Sequence, residues 1–133
     1  MTVLDTSGAI DYLLGAGVAE EVAALLTREG PAAAPDLIVF EVLAVLRRDV
    51  VRQKLNADRA TAALADLEDL ALELFPTLAL RDRAWGLREN MTAADALFVA
   101  LAERLGEPLA TKDAGLASAA EAIAGVAVIR LGV

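Results

Sequence analysis

Short apolar runs alternate along this chain with longer amphipathic stretches, and that alternation predicts the elements. Residues 2–5, Thr-Val-Leu-Asp, read as a strand ending on Asp5, with Thr6 and Ser7 offering caps for a helix to about Leu14. Gly15 and Gly17 break it. Val18 to Arg28 is amphipathic, with Val22, Leu25 and Leu26 inward, and Gly30 and Pro31 end it. Ala32 to Ala34 is a weak strand. Asp36 is placed to cap a strong helix from Leu37 to about Arg52, and Asn56 or Asp58 opens another to about Leu70. Leu72 to Phe75 should be a strand before Pro76, and Leu78 to Arg88 a helix carrying Trp85, which is expected in the core or at an interface.

The stretch 90–113 is the most ordered in pattern. Thr92 and Asp95 have the spacing of a capping box. The helix that follows has Leu97, Phe98, Leu101 and Leu105 as inward positions, and Gly106 stops it. Pro108 to Thr111 is a strand leading into Asp113. A helix over Leu116–Ala124 and a strand over Val126–Leu131 complete the chain. Strands alternating with helices imply an α/β domain with a mainly parallel sheet.

At 133 residues the chain is expected to be a single domain, residues 1–133, large enough to bury a core unaided. Charges interrupt every long apolar stretch before the roughly 18 residues of a membrane span. The N-terminus lacks the basic region and cleavage site of a secretory signal, so a cytoplasmic location without membrane contact is expected. Cysteine and histidine are both absent. That removes disulfides, thiolate zinc sites, thiol nucleophiles and imidazole bases. Polar chemistry is left to carboxylates, hydroxyls, Lys, Arg or a hard cation on oxygen ligands. The net charge of −8 argues on average against a nucleic-acid partner, although a cluster of acidic metal ligands would lower such an average and basic residues gather at Arg47, Arg48, Arg52 and Lys54.

Four acids stand out by position. Asp5 and Asp113 lie at or just past the carboxyl ends of strands, where open α/β sheets place ligand sites. Asp95 lies in the first turn of a helix, sharing a face with Val99 and Ala102. Glu41 is mid-helix among Leu37, Ala44 and Val45, so it faces inward, where a lone Glu is rarely left. Taken singly, Asp5, Asp95 and Asp113 read as well as helix caps, whereas Glu41 has no capping role. One acidic pocket explains all four together.

The motifs VLDTS, PDLIVFEVLAVLRR and NMTAADALFVALAERLGEPLATKDAGL, in that order, resemble a PIN domain, and more narrowly the VapC-type toxin nuclease of VapBC toxin–antitoxin systems. The resemblance spans essentially the full length. Ala94 departs from the larger residue common there. It implies a three-layer PIN-like α/β fold, with a short, mainly parallel sheet of roughly four to five strands flanked by helices. It places family acids at Asp5, Glu41, Asp95 and Asp113, and hydroxyl positions at Thr6 and Thr111.

The implied activity is that of a toxin: a Mg²⁺- or Mn²⁺-dependent endoribonuclease hydrolysing RNA phosphodiester bonds. Asp5 and Asp95 are the first candidates for metal contact. Glu41 and Asp113 serve a second ion or orient water, and Thr6 and Thr111 are weaker candidates for hydrogen bonds to substrate or ligand. The implied partners are RNA, a cognate VapB-type antitoxin and a second copy in a homodimer. Arg47, Arg48 and Lys54 read first as a solvated helix face, and Arg81, Arg83 and Arg88 share the ambiguity. The competing reading is a noncatalytic acidic α/β interaction module or a Mg²⁺-binding signalling module; the latter lacks its paired acids after the first strand.

Overall fold

The computed structural model describes residues 1–133. Five strands form one sheet: β1 (Val3–Leu4), β2 (Ala32–Pro35), β3 (Leu72–Phe75), β4 (Leu109–Thr111) and β5 (Val128–Arg130). Their spatial order is β3-β2-β1-β4-β5, and every pairing is parallel. The sheet is thus wholly parallel. The inner strands β1, β2 and β4 are buried along their length, as parallel strands covered on both faces must be. The alanines of β2 let helices approach the sheet closely.

Seven helices surround it: α1 (Thr6–Leu14), α2 (Ala19–Glu29), α3 (Leu37–Val51), α4 (Ala57–Asp69), α5 (Arg81–Gly86), α6 (Ala93–Leu105) and α7 (Ala114–Ala124). Helix α1 packs on α2, α3 and α4, while α6 packs on α5, α7 and the central strands. The result is a three-layer α/β fold around a core of 31 buried residues, among them Leu4, Ile38, Val99, Leu101 and Leu109. No helix is long and apolar enough to cross a membrane.

Several local expectations shift. The segment after Pro76 begins as a 3-10 turn, Thr77–Leu80, and becomes α-helical only over Arg81–Gly86. Asp36 stands at the start of α3 without capping it; its Oδ1 instead accepts from the Thr77 N–H at 3.1 Å and ties that turn to the end of β2. Trp85 is not in the core: it is 69% exposed, with the Arg88 guanidinium 4.8 Å from its ring centroid. Asn56, rather than Asp58, caps α4, accepting from the N–H groups of Asp58 and Arg59. Gly106 ends α6 with φ 66, a left-handed conformation in which a side chain would be strained.

The register positions the site. Leu4 pairs with Ala110, so Asp5 and Thr111 emerge side by side at the carboxyl edge of the sheet. The chain leaves β1 toward β2 on one side, while β4 lies on the other. This is the topological switch point, where the diverging connections leave a crevice.

Candidate active site at the carboxyl edge of the sheet

A cleft of about 760 Å³ opens at that point, and Asp5, Glu41, Asp95 and Asp113 all line it. They grade from floor to rim. Asp5 is buried at 7% exposure, Glu41 and Asp95 are half-buried, and Asp113 is exposed. Glu41 faces this cleft and not the core, because the buried row of α3 is Ile38, Val42 and Leu46.

Asp5 is held by four donor contacts. Its Oδ1 accepts from the Gly8 N–H at 2.9 Å, and the Ser7 hydroxyl lies 3.0 and 3.1 Å from its two oxygens. The Thr111 hydroxyl donates to Oδ2 at 2.5 Å. Thr111 in turn accepts from the Asp113 N–H at 3.0 Å, and Asp113 Oδ1 caps α7 by accepting from the Leu116 N–H at 3.0 Å. One buried hydroxyl thereby links two of the acids. Thr111 is 1% exposed and spends its donor on Asp5. Its hydroxyl thus lies beneath the cleft, between Asp5 and Asp113. Thr6 does line the cleft, and its hydroxyl donates to Glu41 Oε1 at 2.5 Å. Ser7, the second hydroxyl of the VLDTS motif, belongs to the same network.

Asp95 is placed by α6. The Thr92 hydroxyl accepts from the Asp95 N–H at 3.2 Å, which is half of a capping box; the return bond, from the Thr92 N–H to the Asp95 carboxylate, does not form, and that carboxylate lines the cleft. Asp5, Asp95 and Asp113 thus stand at the N-termini of α1, α6 and α7, whose partial positive charge favours anions there.

No basic side chain neutralises the four acids. None of the ion pairs of the molecule includes them; the one that lies in the cleft lining joins Lys112 to a fifth acid there, Asp11, to which its ammonium donates at 2.7 Å. Burial raises the Asp5 carboxyl above its ordinary range, with the Asp113 charge adding, while the bonds from Thr111, Gly8 and Ser7 oppose it. Burial likewise raises Asp95, opposed by Thr92 and reinforced by the charges of Asp113, Asp5 and Glu41. Mutual repulsion among partly buried acids is the condition a hard cation relieves. The acids stand apart on the walls, and no three of them lie close enough to grip one ion together. The donor set therefore suits a cation that keeps part of its water shell, as Mg²⁺ does.

Arg48 also lines the cleft, so the basic cluster of α3 is not solely a solvated face. The exposed Phe40, beside Glu41, was not singled out by pattern, since Leu37–Val51 is apolar on nearly all sides.

Comparison with known proteins agrees with this fold. Residues 2–122 match the PIN domain model. Ribonuclease VapC1 of Mycobacterium tuberculosis is 39% identical over 118 residues, covering 88% of this chain and 89% of the relative. Ribonuclease VapC9 of the same organism is 34% identical over 129 residues, covering 97% and 98%. The crystal structure of FitAcB from Neisseria gonorrhoeae superposes with a TM-score of 0.60 over 98% of this chain and 97% of that one; at 23% identity this speaks for the fold alone. With a family model matched along most of its length and relatives this similar over nearly all of theirs, the chain belongs to the PIN-domain family, on its VapC branch.

Proposed function

We propose that this protein is the toxin of a toxin–antitoxin pair, an endoribonuclease that hydrolyses RNA phosphodiester bonds in the Asp5–Glu41–Asp95–Asp113 cleft with Mg²⁺ or Mn²⁺. The observation that carries the reading is four acids on one cleft at the sheet's switch point, with no basic side chain paired to any of them. The mycobacterial relatives are named ribonucleases, which supports the same activity here.

Asp5 and Asp95 are the residues to hold the cation, with Glu41 and Asp113 beside them. When bound, the ion supplies charge neutralisation at the scissile phosphate and a more acidic attacking water. The chain's own residues do the rest. Thr111, Ser7 and the Gly8 N–H fix the Asp5 carboxylate in one orientation. Glu41 Oε2 and Asp113 Oδ2 receive no donor from the protein and are free to orient a water or take its proton. Ile10, Val45 and Phe98 add apolar surface to the cleft lining, which strengthens the charge interactions beside them. A VapB-type antitoxin covering the cleft and a homodimer of the toxin belong to the same reading.

Incubating purified, partner-free protein with total RNA tests this. Cleavage should need Mg²⁺ or Mn²⁺, stop with EDTA and be lost in Asp95→Asn. Intact RNA under all conditions would overturn it. The helix-cap bonds of Asp5 and Asp113 favour the competing reading, a noncatalytic acidic interaction module. Thermal melting separates the two. Mn²⁺ should raise the melting temperature of the parent and not of the Asp5→Asn, Asp95→Asn double variant, whereas a noncatalytic module shows no difference between them.

A further inference from the structure

We infer that Phe40, Arg48 and Lys112 form the strip on which single-stranded RNA lies beside the four acids, with a base stacked on Phe40 and phosphates on the two cations. The inference rests on the RNA-cleaving reading above and deepens it. Phe40 is 66% exposed, yet it lines the acidic cleft one residue before Glu41. Phe40, Ala44 and Arg48 recur at helical spacing, so they form one row along α3, about 12 Å from end to end at the helical rise. Ala44 between them leaves the row open.

The cations are arranged for a polyanion. Lys112 sits in sequence between Thr111 and Asp113, but its ammonium turns to Asp11 at 2.7 Å. The site acids are thereby left free for a metal ion, and the ammonium stays on the flank. Arg48 pairs only with its neighbour Asp49, at 3.1 Å and half exposed. Such a surface pair is weak enough to exchange for a phosphate. An acidic floor beside two cations and one bare aromatic face is the combination a single strand uses: backbone charge on Lys and Arg, a base on the ring. Duplex RNA has no free base face to offer Phe40.

Binding of a labelled single-stranded RNA, measured by fluorescence anisotropy with Mg²⁺ in an Asp95→Asn background, tests the strip. Phe40→Ala should weaken binding about tenfold or more without changing its salt dependence, and Phe40→Tyr should retain it. Arg48→Met and Lys112→Met should each flatten the log–log salt slope by about 0.7. Melting temperatures report that each variant folds. Unchanged affinity in Phe40→Ala overturns the strip, and so does a change in that variant's mass by sedimentation, which would make Phe40 a protein contact instead. If the parent cuts RNA while Phe40→Ala binds normally, the strip alone fails. If the parent neither binds nor cuts RNA, the function falls and the strip with it.

Discussion

The two walls of the cleft are built differently. The wall at the ends of β1 and β4 is fixed: Asp5 takes bonds from Ser7, Gly8 and Thr111, and Thr111 and Leu116 fix Asp113 through backbone N–H groups. The wall from α3 and α6 is loosely held. Glu41 has a single bond, from Thr6, and Asp95 has only the Thr92 hydroxyl beside it. Fixed acids pre-organise a site, whereas lightly bonded ones can turn to meet an ion or a water. The contrast teaches that the same residue type does different work according to how many of its lone pairs the backbone already uses.

Substitutions can break or sharpen that contrast. The largest effect belongs to Asp95→Asn on the loose wall. It removes a charge that no protein donor replaces, and metal-dependent RNA cleavage should fall by more than the roughly 10–100-fold seen when only a supporting partner is lost. Thr111→Val comes next. It keeps the shape but removes the donor to Asp5 and the acceptor for Asp113 N–H, so cleavage should drop about 10–100-fold and stability by ~1–3 kcal/mol, with Thr111→Ser restoring both. Denaturant melts and cleavage rates read the two effects separately. Thr6→Val touches only Glu41 and is exposed to the cleft, so its stability cost should stay below that of Thr111→Val and its effect on cleavage below tenfold.

The smallest effect is electrostatic and appears without metal. Burial raises the folded Asp95 carboxyl above 3.8, so the folded state binds that proton more tightly than the unfolded chain. Stability therefore falls as pH rises through the raised value and stays lower above it. In EDTA at neutral pH, Asp95→Asn should melt a few degrees higher than the parent. The gain should shrink as pH falls through the raised pKa toward 3.8. A gain that is constant with pH would assign the effect to packing instead.

Much of this was legible one residue at a time. Helix starts at Asn56 and Thr92, the stop at Gly106 and the strand at 72–75 are local chemistry, and they stand where the pattern put them. The four acids were legible as a set, because strand ends and a mid-helix Glu are positions a sequence can mark. The bond from Thr111 to Asp5 was not legible, because the two lie 106 residues apart in the chain. Asp36 was misread for the same reason: its partner is Thr77. Phe40 was hidden by the apolar surroundings of α3, where periodicity cannot say which face is bare.

Hydrophobic rhythm and capping residues sufficed for the elements and their α/β class, since both act within a few residues of chain. Which acids share a wall and where Lys112 turns were decided by the packing of helices on the sheet, and which hydroxyl is spent beneath the acids by the parallel register of β1 with β4. That register brings Asp5 and Thr111 together, because strand pairing couples positions that no local pattern can connect.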